Sequence, residues 1–285
     1  MQTSWLVVNA FLKGESFARM ESLLSKAAAE QDIELLTKTS TDFIREDTFF
    51  AAPRAAVFLD KDIKLAQRME NQGIRLFNSA AAITLCDDKT LSTLAFEKAN
   101  IPQPKTIICP MTFPNIGYTH LDFLDEIAQQ LGFPMVVKEG KGSFGQQVYL
   151  ARNMEELSAI MRTIKPSEIL FQQFIEESAG SDLRLYVVNH RVVAAIKRVN
   201  QSDDFRANIE HGGVAFPHTP SAEETRLALL ASAACGTDFA GVDLLLSKDG
   251  PLVCEVNSNA HFTGLMKATG VNPAQHIMAM VKEVL

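Results

Sequence analysis

Three oxygen-bearing side chains near the C-terminus, Asp243, Glu255 and Asn257, are spaced so that they can meet. Asp243 and Glu255 sit in two apolar runs, Val242–Ser247 and Leu252–Val256, on either side of Lys248-Asp249-Gly250, and Asn257 follows the second. If those three residues form a turn with Gly250 left-handed, Asp243 falls opposite Glu255. The two-residue period of a strand then puts Glu255 and Asn257 on one face. Carboxylates drawn together in apolar strands repel one another and call for a cation. Hard oxygen donors without His or Cys suit Mg2+ or Mn2+, with substrate phosphates completing the shell. The plain alternative is a solvated polar face of an edge hairpin, which fits poorly with Glu-Val-Asn-Ser-Asn following an apolar run.

A second signal is Gly140-Lys141-Gly142-Ser143-Phe144-Gly145, a GxGxxG run after the apolar Met135–Val137. In dinucleotide-binding domains this pattern opens a helix. Here Gln147–Leu150 reads as another strand, so the loop joins two strands. A flexible hairpin laid over phosphates fits better, with glycines letting backbone N–H groups approach the oxygens. Lys138 ends the entering strand and can direct an ammonium to the same phosphates. An ordinary glycine-rich turn is the competing reading. Between the two signals stand Arg184, Lys197, Arg198 and Arg206. An arginine there can clamp a phosphate with two hydrogen bonds, although each alone reads as readily as a surface charge. His211 and His261 are weak acid–base candidates, for which a structural role is the simpler account.

These residues need a scaffold, and the chain has 285 residues from which to build one. That length predicts two domains, or one core with appended lobes. Apolar residues make up 47% and charged residues 21%, the balance of a folded globular chain. The net charge of −7 argues against nucleic-acid binding driven by a basic surface. It does not exclude a small anion in a local basic pocket. The four cysteines lack CxxC spacing and the six histidines lack paired metal spacing, so neither a zinc site nor a disulfide framework is expected. No run is long enough to span a bilayer and no basic leader precedes Trp5–Val8. The expected location is therefore cytoplasmic, with no membrane partner.

Strand and helix patterns alternate over the first third: Trp5–Val8, Phe17–Glu30, Ile33–Leu36, Ala55–Leu59, Ile63–Gln72 and Arg75–Phe77. This predicts a small parallel-sheet domain over residues 1–84. One helix is expected over Thr84–Asn100, with Asp87 and Asp88 in its first turns. Further on, strands at Thr106–Cys109, Met135–Val137, Gln147–Leu150 and Ile169–Phe174 surround helices at His120–Leu131 and Asn153–Ile164. After these come a hairpin around Asn189-His190-Arg191, a helix from the capping box Ser221/Glu224, the acidic hairpin, and a helix from Asn272-Pro273.

In chain order, several short segments resemble the ATP-grasp superfamily, and within it the RimK-type carboxylate–amine ligases. They are Asp88-Lys89, Ile101-Pro102-Gln103-Pro104-Lys105-Thr106, Phe133-Pro134-Met135-Val136-Val137-Lys138 and Gly142-Ser143-Phe144-Gly145. Next come Gln172-Gln173-Phe174 and Gly180-Ser181-Asp182-Leu183-Arg184, then Asp204-Phe205-Arg206-Ala207-Asn208 and His211-Gly212-Gly213. Ala240-Gly241-Val242-Asp243 and Glu255-Val256-Asn257-Ser258 complete the set. Each is weak alone; their order is specific.

The resemblance implies an α/β chain with α+β lobes: an N-terminal domain (1–84), a central lobe with the glycine loop (85–170) and a C-terminal lobe with the metal site (171–285), the two lobes closing on ATP. It implies that Lys89 and Lys138 hold phosphates under Ser143 and Phe144. Gln173 and Phe174 would meet adenine, and Asp182 the ribose side. Arg206 and Asn208 would lie near the terminal phosphate. Asp243, Glu255 and Asn257 would hold two Mg2+ or Mn2+ ions, and Arg206 and Arg184 would stabilise the transferring group. The implied reaction joins a carboxylate to an amine, such as an amino acid like glutamate, through an acyl phosphate with release of ADP and phosphate. The implied carboxylate is that of a small molecule or a peptide, and association into a homo-oligomer stays open. A small-molecule kinase and a catalytically silent nucleotide-binding regulator are the alternatives. Two departures stand out: Gln173 replaces the common Glu, and Ser258-Asn259-Ala260-His261-Phe262 replaces the usual Pro and Gly after Asn257.

Overall fold

The computed structural model describes residues 2–142, 145–165, 167–202, 204–207 and 213–285. The chain opens with β1 (Gln2–Val8), α1 (Glu15–Glu30), β2 (Ile33–Thr39), β3 (Ala55–Leu59), α2 (Ile63–Asn71) and β4 (Arg75–Phe77). The four strands form a wholly parallel sheet in the order β2-β1-β3-β4, as the alternating pattern predicts. Trp5, Leu6, Val7 and Ala55–Phe58 are buried because helices or other layers cover both faces. The Asp62 carboxylate caps α2 by accepting the Leu65 N–H at 3.0 Å.

The expected single helix over Thr84–Asn100 is two: α3 (Ala80–Asp87) and α4 (Lys89–Lys98). Asp88 between them has extended backbone, and its Oδ1 accepts from Thr90 N at 2.9 Å and Leu91 N at 3.4 Å. An aspartate able to cap a helix competes with continuing one, and the cap wins here. The break positions the next residue, Lys89.

A second, four-stranded sheet is antiparallel. It comprises β5 (Thr106–Ile108), β6 (Met135–Glu139), β7 (Val148–Ala151) and β8 (Ile169–Gln173), in the order β5-β8-β6-β7. With it come α5 (Phe123–Leu131) and α6 (Met154–Thr163). Leu124, Ile127, Leu157 and Met161 of these helices share a buried core with Met135, Val137 and Phe171. The glycine loop joins β6 to β7 as a hairpin, as expected from the strand that follows it.

The third sheet contains β9 (Ser181–Val188), β10 (Arg191–Asn200), β11 (Gly213–Pro217), β12 (Phe239–Ser247) and β13 (Gly250–Asn257), in the order β11-β10-β9-β12-β13. Helices α7 (Ala222–Cys235), α8 (Thr263–Thr269) and α9 (Pro273–Lys282) accompany it. The Ser221/Glu224 capping box and the Asn272 cap with Pro273 are present. The sequence patterns missed β11 and α8, both short and both containing glycine. The β9–β10 turn is the two residues Asn189 and His190, with φ of 46° and 59°, and Arg191 already pairs with Val188.

The acidic hairpin reaches its expected register by a different route. Ser247 pairs with Gly250 across a two-residue turn, which alone would set Asp243 opposite Cys254. A bulge after Asp243 restores the pairing Asp243↔Glu255, and Gly241↔Asn257 follows.

The first and third sheets share one core, in which Leu6, Met20 and Phe77 pack in a cluster with Tyr186, Phe239 and Ile277. Fully buried Asn78 joins them: its Nδ2 donates to Phe239 O and Ser258 O at 2.9 Å each, and its Oδ1 accepts from Asp238 N at 2.6 Å. No helix among the described residues is long and apolar enough to cross a membrane.

Candidate functional site

A cavity of about 460 Å³ is lined by side chains from all three sheets. Lys89, Lys138, Gln173, Phe174, Asp182, Arg184, Arg206, Asp243, Glu255 and Asn257 all border it. Ser143, Phe144 and Asn208, together with His211, lie outside the described residues.

The two lysines arrive from different elements. Lys138 on β6 is 7% exposed, and its ammonium donates to Gln172 Oε1 at 2.7 Å. Gln172 in turn donates to Thr106 Oγ1 at 2.9 Å, which fixes its orientation. Sequence reasoning named the neighbouring Gln173 and missed Gln172, whose inward face follows from strand alternation on β8. Lys89 opens α4; its backbone N–H donates to Gly140 O at 2.8 Å and its ammonium to Gly142 O at 3.3 Å. Burial lowers the Lys89 pKa, against the pull of Glu255. Gly140 serves packing, since a Cβ there would lie 2.8 Å from Glu168 Cβ and 3.1 Å from Asp88 Oδ1.

The acidic group differs from expectation in its charge balance. Asp243 is 3% exposed, yet its countercharge is supplied by protein. Arg184 donates to both its oxygens at 2.7 Å, and Arg198 Nη2 lies 2.8 Å from Oδ2. Arg198, itself 3% exposed, also grips both oxygens of Asp182 at 2.7 and 2.6 Å. Burial would raise the Asp243 pKa, but Arg184 and Arg198 outweigh it and hold it at about 2. Asp182 has one guanidinium and faces the Asp243 charge, so burial prevails there and its pKa is raised. Repulsion among carboxylates therefore does not by itself call for a cation here, and Arg184 is engaged with Asp243. Asp182, expected at the ribose side, has both oxygens on Arg198. Gly241 keeps room for this clamp, because a Cβ there would meet Ala260 Cβ at 2.6 Å and Arg184 Cδ at 3.4 Å.

Arg198, which the sequence offered as a phosphate clamp, clamps two aspartates instead. It faces Asp182 only because a two-residue turn and an irregularity between Val192 and Ala194 combine to give the pairing Arg198↔Asp182. Cys254 is a cleft residue to which the sequence gave no role: the bulge brings it to the cleft wall, with Sγ 3.6 Å from the Lys138 ammonium. Burial raises its thiol pKa to about 11.

The three predicted oxygen ligands do converge. Asn257 Nδ2 donates to Glu255 Oε1 at 2.9 Å and to Asp243 Oδ2 at 3.5 Å. Two carboxylates and one amide are hard donors that fit Mg2+ or Mn2+, and half a turn of the amide would present Oδ1 in place of Nδ2. Among the described residues no group of three His, Cys, Asp or Glu side chains could hold a metal alone. A cation here would take its other ligands from phosphate oxygens and water. Arg206 links two loops, with Nη1 donating to Gly145 O at 2.7 Å and the guanidinium paired with Asp204 at 2.7 Å. His261 also borders the cleft, with Nδ1 2.8 Å from Ser16 Oγ.

Sheet order and site together define an ATP-grasp fold. Across 99% of both chains the structure superposes, with a TM-score of 0.75 at 18% identity, on the D-alanine–D-alanine ligase of Bacillus anthracis solved with ATP. The RimK-like ATP-grasp domain matches residues 86–281, and the chain belongs to that family. A protein of Mycoplasma pneumoniae described as "Uncharacterized protein MG012 homolog" is 34% identical over 95% of this chain and 96% of its own length. A "Probable alpha-L-glutamate ligase" of Legionella pneumophila is 35% identical over 76% of this chain and 70% of its own.

Proposed function

We propose that the chain is an ATP-dependent ligase that joins a carboxylate to the amino group of an amino acid through an acyl phosphate. The carrying observation is that two lysines from separate elements and three hard oxygen donors border one cleft, in a chain of the RimK-like ATP-grasp family. In this reading residues 1–84, 85–170 and 171–285 are three parts, and the second and third close on the nucleotide.

Lys89 and Lys138 bind the ATP phosphates. Gln172 keeps the Lys138 ammonium in place. Gln173 and Phe174 border the adenine end, where the amide of Gln173 can accept from the adenine amino group as the common Glu would. Asp243, Glu255 and Asn257 would hold divalent ions, which neutralise the triphosphate and align the transfer. The substrate carboxylate attacks the γ-phosphorus and ADP leaves. The amine then attacks the acyl carbon, phosphate leaves, and the amide forms. Arg206 orients the terminal phosphate, and Arg184 offers a guanidinium beside the developing negative charge. Glutamate, printed in the name of the Legionella relative, is one candidate for the amine.

The test supplies MgATP with amino acids and short peptides, singly and in pairs, and follows ADP, phosphate and product mass. The reading predicts an amide with one equivalent each of ADP and phosphate. A stable phosphorylated product without free phosphate would point to a kinase, and nucleotide binding without turnover to a regulator.

A further inference from the structure

The cleft wall that comes from the first sheet differs in chemistry from the lysine-bearing walls. It contains Leu12, Phe17 and Leu59, with Asn9, Asp60 and Lys61 as polar members beside them. Asn9 builds this wall. Its Oδ1 accepts from Phe11 N at 2.9 Å and Leu12 N at 3.2 Å, and its Nδ2 donates to both oxygens of Asp60 at 3.1 and 3.2 Å. Ala10 N adds a bond to Ser40 Oγ at 3.2 Å. The turn is thus pinned at several points, yet it holds Phe11 82% exposed and Leu12 56% exposed. Two adjacent large apolar side chains presented on a pinned turn gain nothing from folding. They gain when a ligand covers them.

The charges point the same way. The Lys61 ammonium is in contact with Asp87, and Arg184, Arg198 and Arg206 each face an aspartate. Phe17 packs edge-on against the His261 ring at 4.5 Å, which extends the apolar surface. With Lys89 and Lys138 assigned to the nucleotide, a second, side-chain carboxylate on this wall would meet cations that already face an aspartate, whereas an alkyl or aromatic side chain would meet Leu12, Phe17 and Leu59 directly.

We propose that this wall selects an amino acid with a large apolar side chain, of the leucine, methionine or phenylalanine kind, and disfavours glutamate. Leu12, Phe17 and Leu59 take the side chain and Phe11 closes over it. This rests on the ligase reading, whose substrate class it narrows. The experiment measures binding of L-leucine, L-methionine, L-phenylalanine and L-glutamate to the full chain with a non-hydrolysable ATP analogue and Mg2+, and separately ADP release with ATP and each amino acid, alone and paired with short peptides that supply the carboxylate. Expected is an apolar amino acid bound, and used with higher kcat/KM, by about tenfold or more over glutamate. Leu12→Glu, on an exposed turn, should raise the KM for the apolar amino acid about tenfold and leave the affinity for the ATP analogue unchanged. Glutamate bound and used best, no amino acid bound, or an unchanged KM in the Leu12→Glu variant would overturn the proposal. Glutamate turnover would still uphold the ligase. Apolar binding without turnover would uphold the pocket and remove the ligase.

Discussion

Arg198 holds two buried aspartates, and its removal would strand both in a low-dielectric site. Arg198→Met should lower stability by about 4 kcal/mol, read from the urea unfolding midpoint, because Asp182 loses its guanidinium and Asp243 keeps only Arg184. Adding Asp182→Asn should recover part of that loss, since the stranded charge is gone, and equal midpoints for the single and double variants would contradict the pairing. Lys138→Met keeps the bulk and removes the charge. It should weaken ATP-analogue binding by about tenfold or more in calorimetry, the scale of one charge-assisted contact. Residue types lining the cleft were legible in sequence: Asp243, Glu255 and Asn257 stood out as polar groups in apolar strands, and Lys89 and Lys138 by their motif context. The pairing of Arg198 with the two aspartates and of Gln172 with Lys138 was not, because type and spacing do not reveal which side chain faces which across strands.

At the scale of elements, two irregularities set the site. The Asp88 cap breaks α3 from α4 and lets Lys89 donate to Gly140 O, and the bulge at Cys254 sets Glu255 opposite Asp243. Helix periodicity carries straight across Asp88, so a pattern shows one helix; only the competition between cap and helix shows two. The hairpin register came out as expected from a three-residue turn that the chain does not make, since a tighter turn and a bulge offset one another. Alternation fixes faces, but turn length and bulges fix register, and these depend on packing that a pattern does not contain. Gly140→Ala places a methyl against Glu168 and Asp88. Overpacking of this kind costs about 1–3 kcal/mol. The expected outcome is a several-fold higher KM for ATP with an unchanged circular dichroism spectrum, because the displaced backbone carries the contact to Lys89.

At the scale of the molecule, the three sheets meet at one cleft, and the first is welded to the third by a shared core and by Asn78. Replacing Asn78 by Ala leaves buried backbone groups of Asp238, Phe239 and Ser258 without these partners. A loss of about 3 kcal/mol is expected, seen as a lower thermal midpoint, and a variant as stable as the parent would contradict the weld. Parallel strands and the meeting of distant motifs were legible from element order and the family's segments. The sharing of one core between the first and third sheets was not, since buried residues look alike whichever layer they cover. The central claim is that the amide arises through an acyl phosphate. It is tested most directly by supplying the carboxylate substrate labelled with oxygen-18 and weighing the phosphate released. One labelled oxygen per phosphate, in step with amide formation, is the predicted result; unlabelled phosphate alongside the same amide would contradict the account.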